Sequence, residues 1–245
     1  MNMYSKIINS TLSIECGDSR GSGFHFIKPE LIVTNFHVVE DNIETGEEVK
    51  AVTADGDEFT LELVAYSKED EHDYAIYSTP DKISAERDAL SPRINHGLDI
   101  GTEVAFSGFP HGILDLLVQR AIISGEVDDK SFYIDGSVNG GNSGGPIVDL
   151  SDGSLIGIVT QRRFLGEAGL DKMKEIASQI KDHWDKFGQM GSVQLMGVDF
   201  GAFSSSTAES LVVISNVLEE NANTGIGIGY SSEFITQACK EHGFL

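Results

Sequence analysis

Between Ser10 and Ile158 apolar and polar positions alternate in short runs, as in Ser10-Thr11-Leu12-Ser13-Ile14, Leu31-Ile32-Val33-Thr34 and Phe59-Thr60-Leu61-Glu62-Leu63-Val64. Further runs occur at Ala75-Ile76-Tyr77, Glu103-Val104-Ala105-Phe106, Val118 to Ile123, Phe132-Tyr133-Ile134 and Leu155-Ile156-Gly157-Ile158-Val159. Asp-Gly, Ser-Gly and Asn-Gly steps punctuate them, which fits an antiparallel barrel or sandwich. No helical stretch separates the runs, which argues against a parallel βαβ sheet. The period changes after Arg163. Leu170, Met173, Ile176, Ala177, Ile180, Trp184 and Phe187 fall at helical spacings, predicting one amphipathic helix over Glu167 to Phe187, with Gly188 and Gly191 punctuating its end. A second helical stretch is expected from about Thr207 to Glu220, then a strand at Gly225 to Tyr230 and a short closing helix near Ser232 to His242.

The 245 residues suffice for one large all-β domain, and 40% hydrophobic with 23% charged residues is ordinary globular composition. Charge changes the picture more. With 39 acids against 17 bases the formal charge is -22, which repels nucleic acid and anionic membrane alike. No run approaches the roughly 18 apolar residues that a membrane span requires. The start, Met1-Asn2-Met3-Tyr4-Ser5-Lys6, carries no secretory pattern, so a cytoplasmic protein is expected. Cys16 and Cys239 stand far apart in no metal spacing, predicting two reduced, packed thiols.

The chemistry concentrates in Val138-Asn139-Gly140-Gly141-Asn142-Ser143-Gly144-Gly145-Pro146, a serine inside a glycine-dense turn just before an apolar strand. Serine needs a base to become a nucleophile, and a developing oxyanion needs backbone N–H donors that glycines leave uncovered. Gly141 and Ser143 would supply those donors. His37, at the end of Leu31 to Val39, is a candidate base, and Asp73, at the entrance of the next strand, could hold its tautomer. Each alone has a bland reading, a core histidine and a turn aspartate.

Together these segments resemble the chymotrypsin-like serine peptidases, and within them the short bacterial trypsin-like domains related to HtrA proteases. The resemblance rests on Gly21-Ser22-Gly23-Phe24, Thr34-Asn35-Phe36-His37-Val38-Val39, Asp73-Tyr74-Ala75-Ile76, Ser107-Gly108-Phe109-Pro110 and Gly141-Asn142-Ser143-Gly144-Gly145-Pro146, in the family's order. It covers about residues 10 to 163 and 224 to 245. It implies an all-β fold of two six-stranded antiparallel barrels, the first over about 8–95 and the second over about 96–163 and 224–235. A helical insert occupies about 164–223, and a short helix closes the chain.

Carried over residue by residue, the resemblance makes Ser143 the nucleophile, His37 the general base and Asp73 the orienting carboxylate, with the amides of Gly141 and Ser143 as oxyanion hole. Val159, Thr160 and Gln161 match the edge on which substrate backbone pairs. Ser137, Val159 and Ile228 would frame the pocket for the residue preceding the scissile bond, and being uncharged they suggest a small or medium apolar side chain there. Asn142 stands where digestive members carry an activating aspartate, so activation by a new N-terminus is not expected. The implied partner is a protein or peptide substrate, with no metal and no cofactor. HtrA relatives form trimers, which leaves a homo-oligomer among the open readings.

Two departures from the family stand out. The sequence ends about 15 residues after its last strand, so no PDZ domain is expected within it. The insert replaces a short loop, and reads either as helix packed on the barrel or as a lid or partner-binding element controlling the cleft. Three other readings compete. Gly141-Asn142-Ser143-Gly144-Gly145 also satisfies the nucleophile elbow of α/β-hydrolases, with Asp171 and His183 downstream, although strand rather than helix follows it. A peptide-binding relative without activity, and an enzyme held latent until a partner acts on the insert, are the others.

Overall fold

The structure is a computed structural model and describes residues 2–80, 87–93, 97–162, 167–188, 194–195, 197–221 and 225–245. It opens with a helix that the sequence pattern does not announce, α1 (Met3–Ser10). The Asn2 side chain accepts from the Tyr4 amide to cap it, and Ile7 is fully buried.

There follow β1 (Thr11–Cys16), β2 (Ser19–Phe26), β3 (Lys28–Thr34), the short α2 (Glu40–Thr45), β4 (Val49–Thr53), β5 (Glu58–Thr60), β6 (Glu62–Ser67) and β7 (Tyr74–Ser78). The strands form one antiparallel sheet in the order β5-β4-β1-β2-β3-β7-β6. This corrects the expected first barrel, because among the described residues the sheet has seven strands and its two ends share no ladder. The cause sits at Leu61. The run Phe59 to Val64 predicts one strand, but the chain changes partner there, β5 pairing with β4 and β6 with β7. Since one residue separates β5 from β6, the sheet must curl until its ends meet, joined by peptide bonds instead of hydrogen bonds. Leu61 is buried at this bend.

The expected second barrel is present and closed. β8 (Glu103–Gly108), β9 (Leu117–Glu126), β10 (Ser131–Asp135), β11 (Pro146–Asp149) and β12 (Leu155–Arg162) precede α3 (Glu167–Gly188), β13 (Gln194–Leu195), β14 (Val198–Asp199) and α4 (Phe200–Asn221). β15 (Ile226–Ser231) and α5 (Ser232–Glu241) end the chain, and the barrel runs β10-β15-β12-β11-β8-β9. Ile14, Ile32 and Tyr77 belong to the core of the sheet, and Phe106, Phe132 and Ile147 to that of the barrel. A third cluster joins the two, with Phe24 and Val33 meeting Val148, Ile158 and Ile235 of α5.

Met1–Arg163 with Gly225–Leu245 make one compact unit and Phe164–Thr224 a second. In the second, α3 and α4 pack together. Ala177, Ala208 and Ser215 are buried, whereas Phe203, Val213 and Val217 of α4 are exposed. α4 begins at Phe200 and not near Thr207, because Asp199 accepts the Ala202 amide at 3.0 Å and starts the helix before the serine run. Gly191 lies outside the described residues.

Candidate active site

Strand pairing brings the first two candidate residues together. Thr34 opposes Ala75 in the β3–β7 ladder, so the residues just after β3 and just before β7 lie side by side. His37 Nδ1 is 2.8 Å from Asp73 Oδ2, and the His37 amide donates to Asp73 Oδ1 at 3.1 Å. Asp73 is fully buried and adopts φ 44, the left-handed region that a non-glycine residue occupies only when its surroundings hold it there. Asn35 Nδ2 donates to the Asp73 carbonyl at 2.6 Å and to Thr160 Oγ1 at 3.0 Å, and Thr160 Oγ1 donates to Asp73 Oδ2 at 2.7 Å.

With its Nδ1–H committed to a carboxylate, the neutral His37 ring presents a lone pair on Nε2. Burial acts to lower the imidazole pKa. The hydrogen bond and charge of Asp73, with the fields of Glu69 and Glu40, outweigh it and raise the pKa above the usual 6.5.

Ser143 sits on the second barrel, in the turn leading into β11. The turn is folded by Asn142 N donating to Asn139 O at 3.1 Å and Gly145 N to Asn142 O at 2.9 Å, while Gly144 N donates to Val159 O and Val159 N to Gly145 O, each at 2.8 Å. Three glycines are obligatory, Gly145 among them because a Cβ there would lie 2.0 Å from Ser107 O. Gly141 (φ +90) would put a Cβ 2.3 Å from Phe109 O, and Gly144 (φ +86) would put one 2.0 Å from Ser22 O. The Gly140 carbonyl accepts from His111 N at 2.7 Å, and in a trans peptide this turns the Gly141 N–H the opposite way. Among the described residues the amides of Gly141 and Ser143 have no acceptor. The Ser143 hydroxyl donates to the carbonyl of Thr160 at 3.1 Å.

The remaining candidate residues separate by role. Thr160 is the bulged residue of the β12–β15 ladder, which passes from the pair Val159↔Gly229 to Gln161↔Ile228. The bulge gives Thr160 two functions, its hydroxyl serving Asp73 and its carbonyl facing Ser143. Val159 is fully buried and Ile228 nearly so. Val159 therefore offers a ligand no side-chain surface in this structure, and its contribution is the main-chain pair with Gly144 and Gly145. The Ser137 carbonyl accepts from Gln119 Nε2 at 3.2 Å. The side chain of Gln161 lies outside the described residues.

Ser143 leads through Gly144 and Gly145 into strand β11, not into a helix, and Asp171 and His183 belong to α3. The α/β-hydrolase elbow is thereby excluded. Among the described residues no cluster of His, Cys, Asp or Glu is arranged for a metal.

Sequence reasoning missed three supports. Ser22 Oγ donates to the Gly141 carbonyl at 2.7 Å and accepts the Phe109 amide at 2.9 Å, Asn35 braces Asp73, and Lys130 of the β9–β10 turn donates to the carbonyls of Asp70 and Glu71. Ser22 and Asn35 lie inside quoted motifs, so adjacency to His37 and to the glycines was their one available signal.

A closed antiparallel barrel facing a curled sheet, with a buried carboxylate–imidazole pair on the sheet and a serine in a glycine turn on the barrel, defines the trypsin-like class of architecture. The chain belongs to the trypsin-like peptidase domain family, which it matches over residues 21–158. It is 31% identical over 204 residues to a probable periplasmic serine endoprotease DegP-like of Rhizobium meliloti, covering 79% of this chain and 38% of that protein. It is 31% identical over 161 residues to Protease Do-like 1, chloroplastic, of Arabidopsis thaliana, covering 60% and 34%. The chain thus spans between a third and two fifths of the length of these relatives. Among solved structures, the serine endoprotease from Yersinia pestis superposes with TM-score 0.56 at 24% identity over 66% of this chain and 57% of that one. The Rv3671c protease, inactive form, of M. tuberculosis superposes with TM-score 0.60 at 17% identity over 98% and 92%. At these identities the structures speak for the fold.

Proposed function

We propose that the protein is a serine endopeptidase working through Ser143, His37 and Asp73. The observation that carries the reading is the buried Asp73 bonded to His37 Nδ1 at 2.8 Å, on a family scaffold whose serine turn leaves two amides without acceptors. Ser143 Oγ attacks the scissile carbonyl carbon as its proton passes to His37 Nε2, and the carbonyl oxygen, now an oxyanion, takes the amides of Gly141 and Ser143. The intermediate collapses to an acyl-enzyme when Nε2 gives its proton to the departing amine. Water, deprotonated by the same nitrogen, releases the acid and restores Ser143. Asp73 stays a carboxylate throughout and stabilises the imidazolium.

The Ser143 hydroxyl is bonded to Thr160 O, with no hydrogen bond to His37 among the described residues, and the peptidase reading takes this as the enzyme at rest. A substrate strand added along β12 would offer its own N–H to that carbonyl and free the hydroxyl for His37. The same bond also favours a second reading, a peptide-binding relative or latent enzyme. A fluorophosphonate probe separates them: rapid adduct formation on Ser143 of the wild type, absent in Ser143→Ala and strongly slowed in His37→Ala, is the expected result. A folded wild type that takes no label would sink the peptidase assignment.

Ser137 and Ile228 as walls of an apolar specificity pocket, control of the cleft by the 164–223 insert and a cytoplasmic location belong to the same proposal. For the insert, replacing it with a short linker is expected to change the labelling rate. The two free, buried thiols, Cys16 and Cys239, support a reducing compartment.

A further inference from the structure

α4 carries two stripes of uncharged residues. Gly201, Ser204, Ala208, Leu211 and Ser215 recur at steps of three and four, on the side where Ala208 and Ser215 are buried. Phe203, Ser206, Ser210, Val213 and Val217 repeat that spacing on the opposite side, and all five are exposed, Phe203 at 62%. α3 is built in the ordinary way, with Lys172, Glu175, Lys181, Asp182 and Lys186 at exposed positions. In α4 the stretch from Phe200 to Leu218 holds a single charged residue, Glu209. A helix that is apolar on two sides needs cover on both, and α3, which packs with α4, can supply only one.

The outer stripe is prepared for burial. Thr207 Oγ1 donates to the Phe203 carbonyl at 2.8 Å and Ser210 Oγ to the Ser206 carbonyl at 2.7 Å, so both hydroxyl protons are already satisfied within the helix and a dry contact would cost neither a hydrogen bond. The stripe also divides by size, with Ser206, Thr207 and Ser210 small and Val213, Ile214 and Val217 bulky. Laid antiparallel on a second α4 about a two-fold axis at Ser210, residues equally far before and after Ser210 meet. Ser206 then faces Ile214 of the other copy, Thr207 faces Val213 and Phe203 faces Val217, so the bulky half of each stripe fills the small half of the other. Antiparallel packing also sets each helix N-terminus beside the other's C-terminus, where the two dipoles attract.

We propose that the outer stripe of α4 is a dimer surface whose partner is the same stripe on a second copy of this chain, packed antiparallel about Ser210. The insert lies outside residues 21–158, which match the peptidase family, so the surface is this chain's own and does not depend on the peptidase reading. Its area suits a reversible pair. Phe203, with Val213, Ile214, Val217 and Leu218 each about half exposed, leaves roughly 400 Å² of apolar side chain bare. Interfaces are about 60% apolar, so covering this surface with its polar rim buries roughly 1,300 Å² over both copies, the lower end of stable interfaces. The charge of -22 on each copy limits the affinity and argues against an anionic membrane as the occupant.

Sedimentation equilibrium of the full chain between about 1 and 100 µM tests this, with the mass expected to rise from 26.5 kDa toward twice that value. The Phe203→Asp/Val217→Asp double variant sets acid against acid in the pairing and should raise Kd by ~10-fold or more. Both positions are exposed, so helix content by circular dichroism should stay as in the wild type. Ser210→Cys, on the axis, should give a disulfide-linked dimer under mild oxidation. Phe203→Cys, which faces Val217, and Asn216→Cys, exposed but off the stripe, should not. Cys16 and Cys239 are buried and do not compete. A monomer over the whole range, an unchanged Kd in the double variant, or equal cross-linking at positions 210 and 216 overturns the proposal. So does self-linking of Phe203→Cys, or a dimer that survives replacement of 163–224 by a linker.

Discussion

Asp73 carries donors on both carboxylate oxygens, from the His37 amide and ring and from the Thr160 hydroxyl, and Asn35 holds its carbonyl. Thr160→Val would remove one bond to a charged acceptor, a loss of about 1.5–3 kcal/mol where the bond matters fully to the transition state. We expect kcat/KM to fall roughly 10-fold or more, with KM less affected than kcat, as steady-state kinetics would report. The raised pKa of His37 places the acid limb of the kcat/KM profile above pH 6.5, and Glu69→Gln should move it toward lower pH. Because that pKa is raised on folding, its stabilising contribution is complete below 6.5 and disappears as pH climbs through the folded value. The neutral, working base is thus the less stabilising form. His25 behaves oppositely. Fully buried, its pKa is pushed down to about 4 by burial, so between pH 6.5 and 4 the unfolded chain takes up a proton that the native one refuses. Stability should fall by about 3 kcal/mol across that window, measurable as urea midpoints at each pH. Ser143, His37 and Asp73 were legible because each stands in its own short motif. The second duty of Thr160 was not, since its partners Asp73 and Asn35 lie 87 and 125 residues away in the chain.

Among the elements, the barrel strands were readable because period-2 alternation survives wherever one face is buried. α1, at eight residues, is too short to display a helical period, and its cap at Asn2 is its main signature. The joint at Leu61 was hidden for a different reason: a strand that changes partners keeps its alternation while its ladder moves. The tightest element is the serine turn. Gly144→Ala places a methyl against the Ser22 carbonyl in a left-handed backbone, and should destabilise by about 2–3 kcal/mol in denaturant melts while abolishing the label on Ser143. The insert should be dispensable for folding. Arg162 pairs with Gly227, so a hairpin-length linker can replace 163–224 without moving either strand. A single cooperative thermal transition in that deletion variant is the expected outcome, and its absence would mean that the barrel depends on the helical unit.

At the scale of the whole molecule the charge of -22 sets a background against which local contacts act. Its self-repulsion opposes the folded state and is screened by salt, so thermal midpoints should rise between about 10 and 150 mM salt. The order of the motifs along the chain pointed to the two-part architecture. Closure of the barrel, and the pinning of the loop before β7 by Lys130, depend on contacts with no local pattern.

The seam at Leu61 has a consequence for association. β5 and β6 each pair with one strand among the described residues, and the continuity of the chain at Leu61 keeps their outer edges turned toward each other. A protease nick there would release two edges able to recruit strands from other copies, the first step of linear polymerisation. Glu58 and Glu62 flank the joint and would set like charges face to face in such a pairing. Neutral residues at both positions would leave a nicked molecule free to grow into fibres.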